Sequence, residues 1–508
     1  MSIKVSLRRT TLQELWLFLA VSLPILAALL APLPTVDLAY QLRAGAQMLA
    51  GQGIPSQDTW TFTATGLPWL DQQWGAQVIL ATVYSFAGWT GLALLRAGLV
   101  GLICALILLA VIRAAPDMNR RTAAMLTLAA FAVMSPALAM RPQLLGMALF
   151  AATLLILVRR HERPAWVWVL PVLSVAWANV HGSFILVPVL VGLAWLGDLV
   201  TRAPLARRMA VATAVTGLAT LVTPFGLGVW RYAFGLATNQ EVTARISEWQ
   251  RPTLGSAFGA LFWVSVVLVS IATVVLIRRR MRIPWVPVIT LVAFVALGAI
   301  AERGIAWWPG VAAVTLAGMT VQPGARSTPN GGIVAAPRPA VAAPRPAVAA
   351  PRPARASVLN SAIGGALIVA GIALVPVWRP IDAGVDAPTH LLGQAPSGIT
   401  EALLQVATPA DRVWNPQVWG SWLEFAVPAP LYAFDTRIEV IPGDAWAQAD
   451  RVEGAQADWS QVLDASRISI VVTQGAPTAP LPEALAVSGQ WRSLHTDQDG
   501  GIWVRSDR

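Results

Sequence analysis

The chain has 508 residues, 56% of them hydrophobic and 12% charged. A soluble globular protein carries about 25% charged residues, so this composition cannot clothe a water-facing surface. A net charge of +10 could signal nucleic acid, but here the arginines fall in short clusters between apolar blocks, which is how cytoplasmic loops of a membrane protein read.

The apolar blocks run to about twenty residues, enough to cross a hydrocarbon layer about 30 Å thick as helix. They lack strand-like alternation, so helices rather than a barrel must satisfy the backbone in lipid. Lys4, Arg8 and Arg9 precede an apolar run that ends near Pro32. A cleaved signal peptide has an apolar core of about 7–15 residues; this run is longer and predicts a retained first helix with its N-terminus in the cytoplasm. Helices are expected near 12–33, 89–113, 121–139, 142–158, 166–180, 183–200, 209–224, 255–277, 284–300, 305–320 and 358–377, about eleven spans in all.

With the N-terminus inside, the cytoplasmic loops hold Arg113, Arg120 and Arg121; Arg159, Arg160 and Arg163; Arg202, Arg207 and Arg208; and Arg278, Arg279, Arg280 and Arg282. Every one of these loops is basic, and the opposite loops are poor in clustered arginine, so one assignment satisfies them all. The lone cysteine, Cys104, lies in a predicted helix and can form no internal disulfide.

The expected organisation is a transmembrane domain over 1–320, with a long first outer loop at 34–88, then a linker at 321–357, a last span at 358–377 and a small outer α/β domain over 378–508. In the linker, AAPRPAV at 335–341 and 342–348 is followed by AAPRP at 349–353; a proline in each unit excludes helix and predicts an extended, polyproline-like segment. In the last region, Ile468–Val472 reads as a buried strand. Further strands are expected near 411–414, 431–434, 491–495 and 501–505, with helices near 399–407, 459–466 and 481–488.

On this topology the unusual polar residues gather at one face. The first outer loop carries Asp37, Arg43, Asp58 and Asp71; Arg141 follows in MRPQ; Asn179 and His181 lie in WANVHGS; Glu248 and Trp249 in the loop 225–254; and Glu302 and Arg303 at the next outer end. Five separated segments thus supply acids, arginines and a histidine to one side, the pattern of a site for a charged substrate at the interface. Asp37 stands at the start of a helix expected along the membrane surface over Leu38–Ala50, where it reads either as a helix cap or as a general base. Arg141 and Arg303 either snorkel or bind a phosphate, to which a guanidinium is well matched. Arg96, inside the second helix, needs a partner or a phosphate. His181 reads as a hydrogen-bonded turn histidine or a ligand contact, and Glu248–Trp249 as a carbohydrate platform or an interfacial anchor. No second histidine or cysteine stands at metal-ligand spacing, so no zinc site is expected, and phosphate-binding glycine loops, serine elbows and nucleotide fingerprints are missing.

Together these segments resemble the GT-C superfamily of polytopic glycosyltransferases, in particular bacterial relatives of the dolichyl-phosphate-mannose–protein mannosyltransferase and aminoarabinose transferase type. The resemblance is carried by a first helix followed by the acid Asp37, the G-x-P-x-x-D segment Gly53–Asp58, MRPQ at 140–143, WANVHGS at 177–183, TPFG at 223–226 and SEW at 247–249. Trp419–Leu423 and Phe434–Arg437 look like pieces of the same group's outer domain. The resemblance implies an all-α polytopic membrane protein with a small extracytoplasmic α/β domain, seated in a bacterial plasma membrane. It implies transfer of a sugar, with inversion, from a polyprenyl-phosphate donor to an envelope acceptor: a lipid, glycan or protein. By that analogy Asp37 is the catalytic base, Arg141 and Arg303 are carrier-phosphate contacts, and Asp58, Arg96, His181, Glu248 and Trp249 are further substrate-binding candidates. Two adjacent acids are common in the superfamily's first loop; here Leu38 follows Asp37, so a divalent cation is not supported and no cofactor is expected. Membrane lipids are expected partners and nucleic acid is not. Two other classes stay open at this stage: a transporter or flippase of a lipid-linked or anionic substrate, whose site belongs near the midplane on interrupted helices, and a non-catalytic envelope assembly protein.

Overall fold

The structure, a computed structural model, describes residues 10–280, 283–321 and 356–507. The proline-rich repeats at 335–353, Lys4, Arg8, Arg9 and Arg282 lie outside the described residues.

The first helix, α1 (Leu12–Leu30), opens on a capping box: Glu14 N–H donates to Thr11 Oγ1 at 3.2 Å and Thr11 N–H to Glu14 Oε2 at 2.8 Å, so amides that would be orphaned at the helix start are satisfied reciprocally. A two-residue strand β1 (Leu33–Pro34) follows, then α2 (Leu38–Leu49). Leu38, Ala39, Gln41, Leu42, Ala44 and Gly45 of α2 are buried.

The next helix, α3 (Trp74–Ala114), has 41 residues. At 1.5 Å per residue it measures about 60 Å, twice the hydrocarbon thickness. Gly88, at φ +56°, kinks it, a left-handed conformation open to glycine without steric cost. The first outer loop, expected to run to 88, is therefore helical from Trp74 onward.

There follow α4 (Arg120–Met134), α5 (Pro142–Arg159), α6 (Val169–Ala178), α7 (Leu186–Val200), α8 (Ala206–Ala219), α9 (Gly228–Thr238), α10 (Gln240–Arg245), α11 (Ala257–Arg280), α12 (Trp285–Ile300), α13 (Trp308–Thr320) and α14 (Val358–Ala373). Five runs, Leu12–Leu30, Trp74–Ala114, Pro142–Arg159, Gly182–Val200 and Ala257–Arg279, are long and apolar enough to cross a membrane; Pro164–Ala178, Trp285–Ile300 and Val358–Ala373 are shorter apolar helices. The chain is a multi-pass membrane protein. A helix stands at each of the eleven predicted positions, several of them shorter than expected.

The start of α14 is tied to the start of α1: Asn360 Nδ2 donates to Thr10 O at 3.0 Å, and Thr10 pairs with Ser357. Both helices therefore enter the bundle from the same end. At the other end the chain passes through β2 (Ile381–Asp382), β3 (Ala387–Pro388) and β4 (Leu392–Gly393), and β4 pairs in parallel with β1 (Leu33 opposite Leu392).

The last region builds a five-stranded sheet from β5 (Arg412–Trp414), β6 (Leu431–Tyr432), β7 (Ile470–Gln474), β8 (Trp491–Thr496) and β9 (Gly500–Arg505), in the order β6-β5-β7-β9-β8. The first three are parallel and β9 and β8 antiparallel. Its helices are α15 (Ser397–Val406), α16 (Gln417–Ala426), α17 (Gly443–Glu453), α18 (Trp459–Ala465) and α19 (Pro480–Val487); α16 and α17 were not foreseen. The expected strand at 468–472 lies two residues further on, with Ile470, Val471 and Val472 buried.

This region is not a loose appendage. Helix α16 packs on α2, and its Trp422 and Phe425 meet Trp89 of α3 at 6.0 and 5.8 Å between ring centroids. Gly420 lets α16 come against the segment after β6: a Cβ there would collide with the Phe434 carbonyl. That close approach presses residues 434–439 against the first loop, where Thr436 Oγ1 donates to Val36 O at 3.0 Å.

Candidate active site

Where the first loop, the helix starts and residues 434–439 meet, a cavity of about 240 Å³ opens at the end of the bundle that carries the sheet. Asp37, Arg141, His181, Glu248, Trp249 and Arg303 all line it.

Asp37 occupies the cap position of α2 but makes no capping hydrogen bond. Its backbone is already helical (φ −94°, ψ −27°), whereas a capping residue needs extended dihedrals to carry its side chain over the first amides. The carboxylate turns instead to Arg141, whose Nε lies 3.2 Å from Oδ2. Arg141 is extended (φ −138°, ψ 162°) at the N-cap of α5, the conformation imposed on a residue before proline, here Pro142. Its Nη1 also bonds Glu248 Oε1, so one guanidinium joins acids from two loops. Asp37 above all, with Glu248, holds Arg141 more firmly protonated than an ordinary arginine. Burial would push the Glu248 carboxyl up, but Arg141 and Arg303 outweigh it and hold it below its usual range.

The guanidinium of Arg303 lies 4.4 Å from the centre of the Trp249 ring, a cation–π contact. One face of Trp249 is therefore occupied by an arginine, which removes that face as a sugar platform. None of the ion pairs among the described residues uses Arg303, so its N–H donors stay available to a ligand. In the turn between α6 and α7, Ser183 N–H donates to His181 Nδ1 at 3.1 Å, which puts the ring proton on Nε2. Burial, and then Arg303, push the imidazole down to about 3. His181 is thus a neutral donor at the cavity wall.

Tyr232, Glu439, Gln41 and Gln73 also line the cavity. Tyr232 donates its hydroxyl to Glu439 Oε1 at 3.0 Å, and burial raises the Glu439 carboxyl above its usual range. Gln41 Nε2 donates to Gln73 Oε1 at 2.9 Å, while Gln41 Oε1 is buried with no hydrogen-bond partner. Among the described residues no three His, Cys, Asp or Glu side chains converge as a metal site. Two of the cavity's carboxylates, Asp37 and Glu248, are bridged by the Arg141 guanidinium.

No family model and no curated protein matches the sequence. Among solved structures, the archaeal oligosaccharyltransferase AglB from Archaeoglobus fulgidus, in complex with an inhibitory peptide and a dolichol-phosphate, is 10% identical with a TM-score of 0.57, over 95% of this chain and 72% of that one. The Archaeoglobus fulgidus oligosaccharyltransferase in its apo form gives 10% identity and a TM-score of 0.52 over 97% and 74%. ArnT from Cupriavidus metallidurans, also apo, is 17% identical with a TM-score of 0.47 over 96% and 97%. This chain has the GT-C fold.

Within the GT-C fold, two of the residues singled out from sequence fall elsewhere. Asp58, fully buried, bonds Arg437 and accepts from Thr61 N–H at 3.0 Å and Thr61 Oγ1 at 2.8 Å; it clamps the first loop to the last region and does not line the cavity. Arg96 donates to Pro32 O at 2.6 Å and also to the Ala28 and Ala31 carbonyls. It satisfies the end of α1, where the last carbonyls of a helix have no partners of their own, so the partner that its burial required is backbone and not phosphate. The residues missed were Tyr232, Glu439, Gln41 and Gln73. The FDTR stretch at 434–437 marked the neighbourhood of Glu439, but nothing in the spacing tied it to Tyr232 some 200 positions earlier (|i−j| = 207).

Proposed function

We propose that this protein is a membrane glycosyltransferase that moves a sugar from a polyprenyl-phosphate carrier to an acceptor hydroxyl, with inversion, on the extracytoplasmic side of a bacterial plasma membrane. The observation that carries the reading is the convergence of Asp37, Arg141 and Arg303 on one cavity at the end of a GT-C fold. The dolichol-phosphate bound to AglB supports a polyprenyl phosphate as the carrier. In this reading the N-terminus is cytoplasmic, residues 378–508 lie outside, and the last region helps to orient the acceptor.

The acceptor hydroxyl gives its proton to the Asp37 carboxylate as its oxygen attacks the anomeric carbon. The bond from that carbon to the phosphate oxygen breaks, and its electron pair leaves with the phosphate. Attack opposite the leaving group inverts the carbon. Negative charge grows on the phosphate in the transition state, and fixed guanidinium groups aimed there stabilise it without reorganisation. Arg303 supplies uncommitted donors. Arg141, drawn to the phosphate, loosens its hold on Asp37 at the moment the base is needed. His181, neutral with its proton on Nε2, adds a donor that brings no charge. No step uses a metal ion.

The test is sugar transfer from a panel of radiolabelled polyprenyl-phosphate sugars by the purified full chain, wild type beside Asp37→Asn. The expected result is turnover by wild type and a loss of roughly 10²–10⁴-fold in the variant, with unchanged thermal unfolding. Wild-type-like turnover by Asp37→Asn rejects the base. Flux of donor into proteoliposomes with no covalent transfer favours a transporter, and function retained with Asp37, Arg141 and Glu248 all replaced favours an assembly role.

A further inference from the structure

Helix α2 presents two side chains to the cavity one turn apart. Asp37 and Gln41 both line it, and the Gln41 amide donates to the Asp37 carbonyl at 3.3 Å, the i to i+4 link of a helical turn. Residues so spaced stand on one face, about 5–6 Å apart between their Cβ atoms. Gln41 Nε2 donates to Gln73 Oε1 at 2.9 Å, and Gln73, just before α3, lines the cavity as well. That bond leaves two groups over. Gln41 Oε1 is buried with no hydrogen-bond partner, in a residue 1% exposed. Gln73 Nε2 enters no hydrogen bond among the described residues. Two joined amides thus keep one acceptor and one donor unused, and a buried acceptor is rarely left unsatisfied.

We propose that the Gln41–Gln73 pair reads a second hydroxyl of the acceptor, so that the molecule whose hydroxyl meets Asp37 is a sugar ring and not a serine, a threonine or a simple alcohol. The proposal rests on the transferase reading for the role of Asp37. A hydroxyl both donates and accepts, so one such group can meet Gln41 Oε1 as donor and Gln73 Nε2 as acceptor. A phosphate oxygen only accepts and an ammonium only donates, and each leaves half of the pair unmet. A sugar ring carries hydroxyls on neighbouring carbons. A ring that gives one of them to Asp37 has another within reach of the side chain one helical turn along. An acceptor with a lone hydroxyl, engaged by Asp37, leaves Gln41 Oε1 buried and unpaired, which costs binding.

The pair is held from both helices. One turn beyond Gln41, Gly45 brings α2 against α3: a Cβ there would stand 2.2 Å from the Gln77 carbonyl oxygen. On α3, the Gln73 carbonyl accepts from Gln77 N–H at 3.1 Å, and Gln77 Nε2 donates to Asp71 Oδ1 at 2.6 Å. Both glutamines thus stand at the starts of two helices packed on each other, and side chains supported in this way discriminate between ligands.

The experiment is binding rather than turnover, so that it stands even if the catalytic reading fails. Methyl pentosides and hexosides, their monodeoxy analogues, N-acetylserine amide and N-acetylasparagine amide are titrated against the detergent-solubilised full chain, with affinity read by saturation-transfer NMR. Wild type should bind at least one glycoside about tenfold or more tighter than either amino-acid amide. One monodeoxy analogue of that glycoside should bind wild type about tenfold more weakly than its parent. Gln41→Ala should lose the same factor for the parent and should no longer distinguish it from that analogue. Wild type that binds no glycoside, or binds the amides as tightly, overturns the proposal. So does a Gln41→Ala variant that still feels the loss of every hydroxyl in full, because the hydroxyl would then be read elsewhere. A Gln41→Ala change that spares the glycosides and lowers affinity for polyprenyl-phosphate sugar relative to bare polyprenyl phosphate also overturns it, and puts the pair on the donor. Glycoside binding that meets these expectations in a chain without sugar transfer would uphold the reading site and sink only the transferase.

Discussion

Asp37 and Arg141 meet across the cavity mouth, carboxylate oxygen to Nε at 3.2 Å, and the same guanidinium reaches Glu248 through Nη1. One planar cation thus holds two acids delivered by different loops, a geometry that a lysine's point charge cannot reproduce. Arg141→Lys is therefore expected to lower kcat by roughly 10²-fold, and Arg141→Gln by about 10³-fold, the range seen when a transition-state donor is removed. Steady-state kinetics with the preferred polyprenyl-phosphate sugar would measure it. Full kcat in the lysine variant would reduce Arg141 to a structural tie between loops.

Arg303 has a different task, because it stacks on Trp249 and leaves its donors free of acids. Replacing it with alanine should raise the KM for the donor about tenfold, the size of a lost charged hydrogen bond. Trp249→Leu should do the same to a lesser degree, since it removes the surface that orients the guanidinium but not the charge. If Trp249→Leu harms turnover as much as Arg303→Ala while donor binding is unaltered, the indole acts on the acceptor instead.

Six of the eight residues singled out from sequence line one cavity, and the reason they were legible is chemical. Charged side chains at the ends of apolar helices are costly and stand out. Asp58 and Arg96 stood out for the same reason and have structural partners, because sequence shows that a buried charge needs a partner but not which one. For Arg96 the partner is the end of α1, displaced by 64 to 68 positions. Tyr232, Gln41 and Gln73 were invisible because neutral polar residues carry no such signal, and Glu439 because its partner lies in a distant helix. The eleven apolar helices were legible from hydropathy, and the strands β5 to β9 from their short apolar runs. Helices α16 and α17 were not, since QVWGSWLEFA and GDAWAQADRVE have no long apolar run and owe their burial to the surfaces they cover.

Asp71 and His181 should oppose one another in the dependence of stability on pH. Burial raises the Asp71 carboxyl to about 7, so between about 4 and 7 the folded state holds a proton that the unfolded chain has lost, and stability falls as pH rises. Burial lowers His181 to about 3, so between about 3 and 6.5 the unfolded chain holds the extra proton, and stability rises with pH. Each slope is about 1.4 kcal/mol per pH step, and from about pH 4 to 6.5 the two cancel. Asp71→Asn should leave a stability that climbs with pH across that window relative to wild type, and His181→Gln one that declines. Thermal unfolding of the three proteins at pH 4.5, 5.5 and 6.5 would show it; parallel curves would mean that neither group keeps its buried state in the folded protein.

Arg437 ties the last region to the first loop. It is 2% exposed, donates from Nε to Asp435 Oδ2 at 2.7 Å, bonds Asp58 through Nη2, and lies over the rings of Trp60 and Trp69 at 4.2 and 4.4 Å. Removing one partner of a buried pair strands the others without counter-charge and costs roughly 3–5 kcal/mol. Arg437→Met should therefore lower the unfolding temperature clearly and expose residues 56–69 and 434–440 to protease. The companion change distinguishes charge from packing: with Asp58→Asn added, one of the stranded acids is gone, and the double variant should be more stable than the sum of the two single losses predicts. Strict additivity would mean that the Arg437–Asp58 contact is not the tie, and that the two tryptophans under the guanidinium hold the loop by themselves.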